Sequence, residues 1–195
     1  ETAARTEGMA SEFMTSCAMC YNTLKRANID VKQRADALAT INDFLSLETT
    51  KYEGDVEVLH LLEYLRDRVG FDKLAAKVKK PLKGLRVACY YGCLLTRPTD
   101  VTKLDCVEAP TIMERVVEAA GATTVPWTHR LECCGANFTL SRPGVVIQLT
   151  NAILESAKAA GADCIMVGCP LCHGNLDIRQ GEIERAFWEK RRTDT

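Results

Sequence analysis

The sequence lacks an excess of charge of either sign: 25 basic side chains stand against 26 acidic ones, for a formal net charge of −1. Such a balance provides no global positive field, which argues against phosphate backbones and anionic membranes as partners. Long hydrophobic runs are missing as well. The longest apolar stretches, such as Cys164 to Pro170, fall far short of the roughly 20 residues a membrane span needs, and no charged-then-apolar leader opens the chain. The expectation is therefore a cytoplasmic protein with no nucleic-acid partner and no membrane insertion. There is no start methionine, and residues 1–16 read as the end of a helix followed by a short strand at Glu12 to Thr15. The chain is expected to begin inside a domain.

What is abundant is cysteine. Ten occur in 195 residues that are 47% hydrophobic, a length sufficient for one good-sized domain or for one complete domain with part of another. In a reducing compartment clustered thiols bind metal or perform redox chemistry more often than they form a disulfide frame.

Along the chain, Cys17-Ala18-Met19-Cys20 approaches a helix predicted over Val31 to Leu47, where Ala35, Leu38, Ile41 and Leu45 recur at helical spacing. A short strand at Val56 to Leu59 runs into a helix at Leu61 to Val69 that stops at Gly70, and a further short helix near Asp72 to Val78 ends before Pro81. His60 falls at the strand-to-helix junction and reads as structural. The basic stretch Lys77 to Lys83 reads as a solvated linker. Beyond it the pattern alternates. Strands are predicted at Leu85 to Tyr91, Thr123 to Trp127 and Asp163 to Gly168. Between them lie one helix with Pro110 in its first turn and an apolar stripe at Ile112, Met113, Val116, Val117 and Ala120, and another capped by Ser141 that runs to Gly161. Alternation of this kind predicts a parallel α/β layer with helices on both faces. The charged tail from Glu182 to Thr195 reads as a partly exposed helix.

On this reading five cysteines fall where strands end: Cys93 after the first, Cys133-Cys134 beyond the second, and Cys169-Pro170-Leu171-Cys172 after the third. The carboxyl edge of a parallel sheet is where such folds gather their chemistry. Gly135, Gly168 and Pro170 suit tight loops beside a bulky inorganic group. Five thiols are one too many for a tetrahedral zinc site or an ordinary four-cysteine cluster, and adjacent cysteines address different metal atoms more naturally than one ion. A polynuclear cluster is the better match.

The combination of Tyr90-Tyr91-Gly92-Cys93-Leu94-Leu95-Thr96-Arg97-Pro98, Cys133-Cys134-Gly135 and Cys169-Pro170-Leu171-Cys172 resembles the CCG, or cysteine-rich, domain found in the B-type subunit of heterodisulfide reductase. Iron-sulfur subunits of glycolate- and lactate-oxidising systems and a succinate dehydrogenase subunit share this domain. Such domains occur there in tandem, and Cys17 to Asn22 looks like the closing segment of a first one. The resemblance implies residues 1–80 as the C-terminal remnant of a first CCG domain plus linker, residues 81–195 as a complete second one, and an N-terminally truncated subunit. The interval between Cys134 and Cys169 is slightly shorter than the family's, which implies a shortened loop. The resemblance further implies that Cys93, Cys133, Cys134, Cys169 and Cys172 hold a noncubane [4Fe-4S] cluster, with Cys17 and Cys20 as partial ligands of a first-domain cluster. The implied activity is electron transfer from an iron-sulfur donor subunit to the disulfide of thiol coenzymes or of a thiol protein. A fragment of this kind is expected to be inactive alone.

Other readings stand beside it. Zinc prefers the same soft thiolates and is a possible substitute in the isolated protein; a dithiol pair at Cys17/Cys20 or Cys169/Cys172 leaves the remaining cysteines unexplained. An electron-relay or zinc-stabilised assembly module of another complex, of the 2-hydroxy-acid oxidase type, is the second functional reading. Cys106 does not match the motif, and Cys89 and Cys164, inside apolar strands, read as small core residues. His129 and His173 are weak candidates for proton or hydrogen-bond donors to bound sulfur. Tyr90 and Tyr91 read as sheet packing, and Arg97, Arg130 and Arg142 as candidate contacts for an acidic substrate.

Overall fold

Val87, Ala88, Cys89 and Tyr90 are all buried, as expected of a strand covered on both faces. They form most of β3 (Arg86–Tyr90), the central strand of a three-stranded parallel sheet. The computed structural model describes residues 10–46 and 51–188. On either side of β3 lie β4 (Thr123–Thr124) and β5 (Cys164–Val167), in the order β4-β3-β5. The crossover from β3 to β4 runs through α6 (Ile112–Ala119), and the one from β4 back past β3 to β5 runs through α7 (Pro143–Ala159). The two crossovers run in opposite directions along the strand order, and with the right hand that parallel connections adopt the two helices fall on opposite faces of the sheet. The predicted α/β architecture is thus the observed one.

The first half forms a second, smaller parallel sheet from β1 (Glu12–Thr15) and β2 (Glu57–His60), with Thr15 opposite His60. Between them run α1 (Ala18–Gln33) and α2 (Ala35–Leu45). After β2 come α3 (Leu61–Tyr64), continued by a π-helical turn at Leu65–Val69, and α4 (Phe71–Lys77). Lys77, Lys79, Lys80 and Lys83 are exposed, as a solvated linker requires. The remaining helical elements are α5 (Thr99–Thr102), α8 (Pro170–His173) with a π-helical turn at Gly174–Ile178, and α9 (Gln180–Ile183), continued by a π-helical turn at Glu184–Trp188.

Several boundaries differ from the sequence expectation. The helix predicted from Val31 is two helices: α1 begins directly after Cys17 and ends before Arg34, whose extended backbone (φ −129°, ψ 99°) separates it from α2. Tyr21 and Asn22, buried positions of α1, are polar, so hydrophobic spacing does not reveal it. Residues 47–50 and 189–195, the ends of that predicted helix and of the tail, lie outside the described residues. Pro110 precedes α6, and Arg142 rather than Ser141 caps α7, with Pro143 at its first position. β4 stops at Thr124: beyond the Val125 N–H to Val87 O bond (3.0 Å) the next acceptor of the ladder, the Cys89 carbonyl, is taken by the indole N–H of Trp127 (3.1 Å). Cys164 is exposed, not a core residue, because β5 is an edge strand and Cys164 opens it. In the tail, Ile183 is fully buried and anchors α9.

The halves share a core. Ala18 and Leu62 pack in one apolar cluster with Val87, Tyr90, Leu95, Met113 and Cys169, while Val31, Leu45, Tyr52 and Val56 form a smaller one. At the end of β5 the Gly168 carbonyl accepts from the Ala18 N–H (3.1 Å) and lies 3.1 Å from His60 Nε2. Glu63, buried next to this junction, accepts from the Tyr21 hydroxyl (3.0 Å), the His60 N–H (2.8 Å) and Lys25 Nζ (3.3 Å). A buried carboxylate so paired does not carry the penalty of an isolated charge.

Candidate thiol centre

Each of the five predicted cysteines reaches the site from a segment that follows a strand at the carboxyl edge of the β4-β3-β5 sheet, four from loops and Cys172 from a short helix. Cys93 follows β3, Cys133 and Cys134 lie between two single 3-10 turns (His129–Leu131 and Ala136–Phe138), and Cys169 and Cys172 cap and enter α8. All five line one cavity of about 60 Å³. Its other walls are Ala18 and Met19 at the start of α1, Tyr91, Leu94, Ala136, Asn137 and Leu171. No charged side chain is among them.

The sulfurs are close. Cys93 Sγ lies 3.5 Å from Cys133 Sγ, and Cys134 Sγ lies 3.4 Å from Cys172 Sγ. The Gly135 N–H donates to Cys133 Sγ (3.3 Å). Cys134, Cys169 and Cys172 are buried, Cys93 is half-buried and Cys133 is exposed, so the cavity has a solvent-facing edge. Gly92, at φ +65°, lets the chain turn beside the thiols: a Cβ there would stand 3.5 Å from Cys172 Sγ. Gly135 and Gly168 serve other neighbours, since a Cβ would meet Leu149 at 3.1 Å in the first case and Leu95 at 3.0 Å in the second.

Crowding separates the thiols in acidity. Cys169 is pushed down to about 5, chiefly by its hydrogen bond with Cys172 and further by the backbone N–H groups of Cys172, Met19 and Leu171. Cys134 is lowered to about 7, again chiefly by Cys172. Cys172, which serves both, is raised and keeps its proton longest. Burial pushes Cys93 up to about 12. The site thus favours thiolate at two positions before any ligand arrives, and thiolate is the metal-binding form. Among the described residues no three His, Cys, Asp or Glu side chains are grouped as a ligand set for a single metal ion.

The other expected residues lie elsewhere. Cys17 caps α1, its sulfur accepting the Cys20 N–H (3.3 Å), and burial raises its thiol to about 11; Cys20 is exposed. Neither lines the cavity. His129 bonds to Thr128 Oγ1 (2.9 Å) and approaches Glu132 (3.9 Å), and the exposed His173 approaches Asp177 (3.6 Å); both stand outside the lining. Arg130 is paired with Glu114 (2.8 Å) behind Tyr91 and bonds to the Pro110 carbonyl, so it is committed to structure. Arg142 caps α7, whereas Arg97, 3.6 Å from Glu108, borders a second hollow that reaches Cys93. Tyr90 and Tyr91 are both 1% exposed, and Tyr91 also walls the thiol cavity. Cys106 is exposed, and Cys89 is a core thiol pushed up to about 12 by burial.

Residues 87–177 match the family model for the cysteine-rich domain, CCG. That stretch, just under half of the chain, is similar to a CCG domain. All five cavity cysteines fall inside it. Over most of its length the chain is similar to the B-type subunit of a ferredoxin/F420H2-dependent CoB-CoM heterodisulfide reductase from Methanosarcina acetivorans. That match is 34% identical and covers 93% of this chain and 61% of the relative. It is equally similar to the membrane anchor subunit of an 8-methylmenaquinol:fumarate reductase from Wolinella succinogenes, at 35% identity over 95% of this chain and 64% of that protein. The chain therefore spans about three fifths of the length of these curated relatives. A solved structure of a hypothetical protein from Helicobacter pylori shares the fold, with a TM-score of 0.64 at 10% identity, covering 85% of this chain and 29% of that one. No helix among the described residues is long and apolar enough to cross a membrane.

Proposed function

We propose that this chain is an iron-sulfur subunit of a heterodisulfide-reductase-like oxidoreductase, in which Cys93, Cys133, Cys134, Cys169 and Cys172 hold a noncubane [4Fe-4S] cluster. The observation that carries this reading is the convergence of five thiols from three strand-end segments on one uncharged cavity. The donor set fits the group: soft sulfur ligands in excess of four, two of them adjacent in sequence, suit several iron atoms better than one ion. When bound, the cluster supplies single electrons to a disulfide held against it. The chain's own residues fix the ligands, exclude water through Met19, Leu94 and Leu171, and leave the Cys133 side open for approach. Residues 81–195 act as the complete CCG domain and residues 1–80 as the remnant of a first one, with Cys17 and Cys20 giving two ligands to a further centre. An iron-sulfur donor subunit, a disulfide of thiol coenzymes or of a thiol protein, and a cytoplasmic location belong to the same proposal. Zinc can take up the same thiolates in isolated protein.

The test is iron, zinc and sulfide analysis with electron paramagnetic resonance on anaerobically reconstituted protein. Cys133→Ser or Cys134→Ser is expected to abolish the signal and at least halve the bound iron, whereas Cys106→Ser leaves both unchanged. Stoichiometric zinc without iron in protein handled without oxygen would overturn the reading.

The fumarate reductase relative favours a second reading, an electron relay in a complex that acts on no disulfide. Disulfide turnover by the assembled complex separates the two.

A further inference from the structure

Asn175 lies outside every cysteine motif, in the π-helical turn after α8, and is 2% exposed. Its side-chain NH₂ donates to the Cys134 carbonyl (3.2 Å) and to Cys134 Sγ (3.6 Å), and its Oδ1 accepts from the Thr139 hydroxyl (3.1 Å). The Cys134 carbonyl, which can only accept, fixes the nitrogen as the end of the amide that faces the sulfur. A buried amide is costly unless its groups are bonded. Here each of those bonds runs to the segment that carries Cys134 or to the turn just after it. Asn175 itself follows Cys172 on the same helical stretch. It therefore ties the two thiol-bearing segments together and aims an N–H at one sulfur.

We propose that Asn175 is a positioning residue of the thiol centre, whose N–H orients Cys134 Sγ and raises the reduction potential of the iron-sulfur group bound there. The inference rests on the cluster reading above. Reduction adds negative charge that spreads onto the ligand sulfurs, so a hydrogen bond to sulfur stabilises the reduced form more than the oxidised one. Removing the donor shifts the couple in the negative direction.

The experiment is a redox titration, followed by electron paramagnetic resonance, of the anaerobically reconstituted wild-type protein and the variants Asn175→Leu, Asn175→Asp and Thr139→Val. Asn175→Leu keeps roughly the shape and loses the donor. At a fixed potential its reduced-to-oxidised ratio is expected to fall roughly tenfold, equivalent to about 59 mV for a one-electron couple. Asn175→Asp, which turns a carboxylate oxygen toward the sulfur, is expected to shift at least as far in the same direction. Thr139→Val leaves the amide in place but frees it to rotate, and is expected to give a smaller negative shift; it decides the matter if the Asn175 variants fail to fold. Unchanged or more positive potentials in variants that carry the cluster overturn the proposal. So does loss of iron from all three variants, which assigns Asn175 to assembly alone. Wild-type protein without iron and sulfide overturns the cluster reading itself, an outcome read before any variant is made.

Discussion

His60 shows how one side chain is held in a single protonation state. Its Nδ1 accepts the Leu62 N–H (3.2 Å), so the ring proton sits on Nε2 and donates to the Gly168 carbonyl (3.1 Å). A second proton on Nδ1 would displace the Leu62 bond and charge a ring that is only 2% exposed. Burial accordingly lowers the His60 pKa below its ordinary value, against the smaller upward pull of the Gly168 carbonyl. The sign follows from linkage. The unfolded chain takes up the proton near pH 6.5 and the folded one only at lower pH, so this contribution to stability is complete above about pH 6.5 and is lost as the pH falls below it. Urea unfolding midpoints measured between pH 5 and 8 are expected to drop on acidification, and His60→Asn to flatten part of the slope. Identical slopes in the two proteins would remove His60 from the account. The structural role of His60 was legible from its position between strand and helix. Its bond to Gly168, more than a hundred residues away, was not, because nothing local in the sequence encodes it.

At the scale of elements, α1 is the part least visible in the sequence and among the most consequential. Its first turn closes the thiol cavity with Ala18 and Met19, and its inner face carries Tyr21 and Asn22. Asn22, 5% exposed, donates to the carbonyls of Leu94 (3.0 Å) and Arg97 (2.7 Å) in the loop that follows Cys93. A polar inner face gives no hydrophobic period, so the helix could be placed only by its partners. The strand-end loops were legible for the opposite reason. Apolar runs bounded by glycine and proline mark parallel strands, and parallel strands deliver their following residues to one edge. That logic places five cysteines at one edge, and all five line one cavity; it does not serve for Cys164, since an apolar run does not say whether its strand is central or at an edge. Replacing Asn22 with Ala removes two partly buried hydrogen bonds and is expected to cost about 1–3 kcal/mol. Chemical denaturation measures the loss. A change within a few tenths of a kcal/mol would mean that water replaces the amide and that α1 does not brace the Cys93 loop.

For the whole molecule, the question is whether the two sheets are independent. Among the described residues the β1-β2 sheet has two strands, and the small cluster of Val31, Leu45, Tyr52 and Val56 beneath it is a modest core. An isolated two-stranded pair is marginal in water. Its stability must come from the larger core, to which the first half contributes Ala18 and Leu62, and from the Gly168 carbonyl that both α1 and His60 hold. Dependence also runs the other way. Without α1, the cavity beside Cys169 loses a wall and the thiol loses the Met19 N–H. A boundary near residue 80 therefore divides the chain by sequence pattern while the packing joins it. Native-state hydrogen exchange tests the point: backbone amides of β2 and β3 are expected to lose protection together, at the same denaturant concentration, as one cooperative unit. If β2 amides exchange at much lower denaturant while β3 stays protected, the first half is an appendage. The wall that α1 gives the thiol cavity would then open without unfolding the β4-β3-β5 sheet.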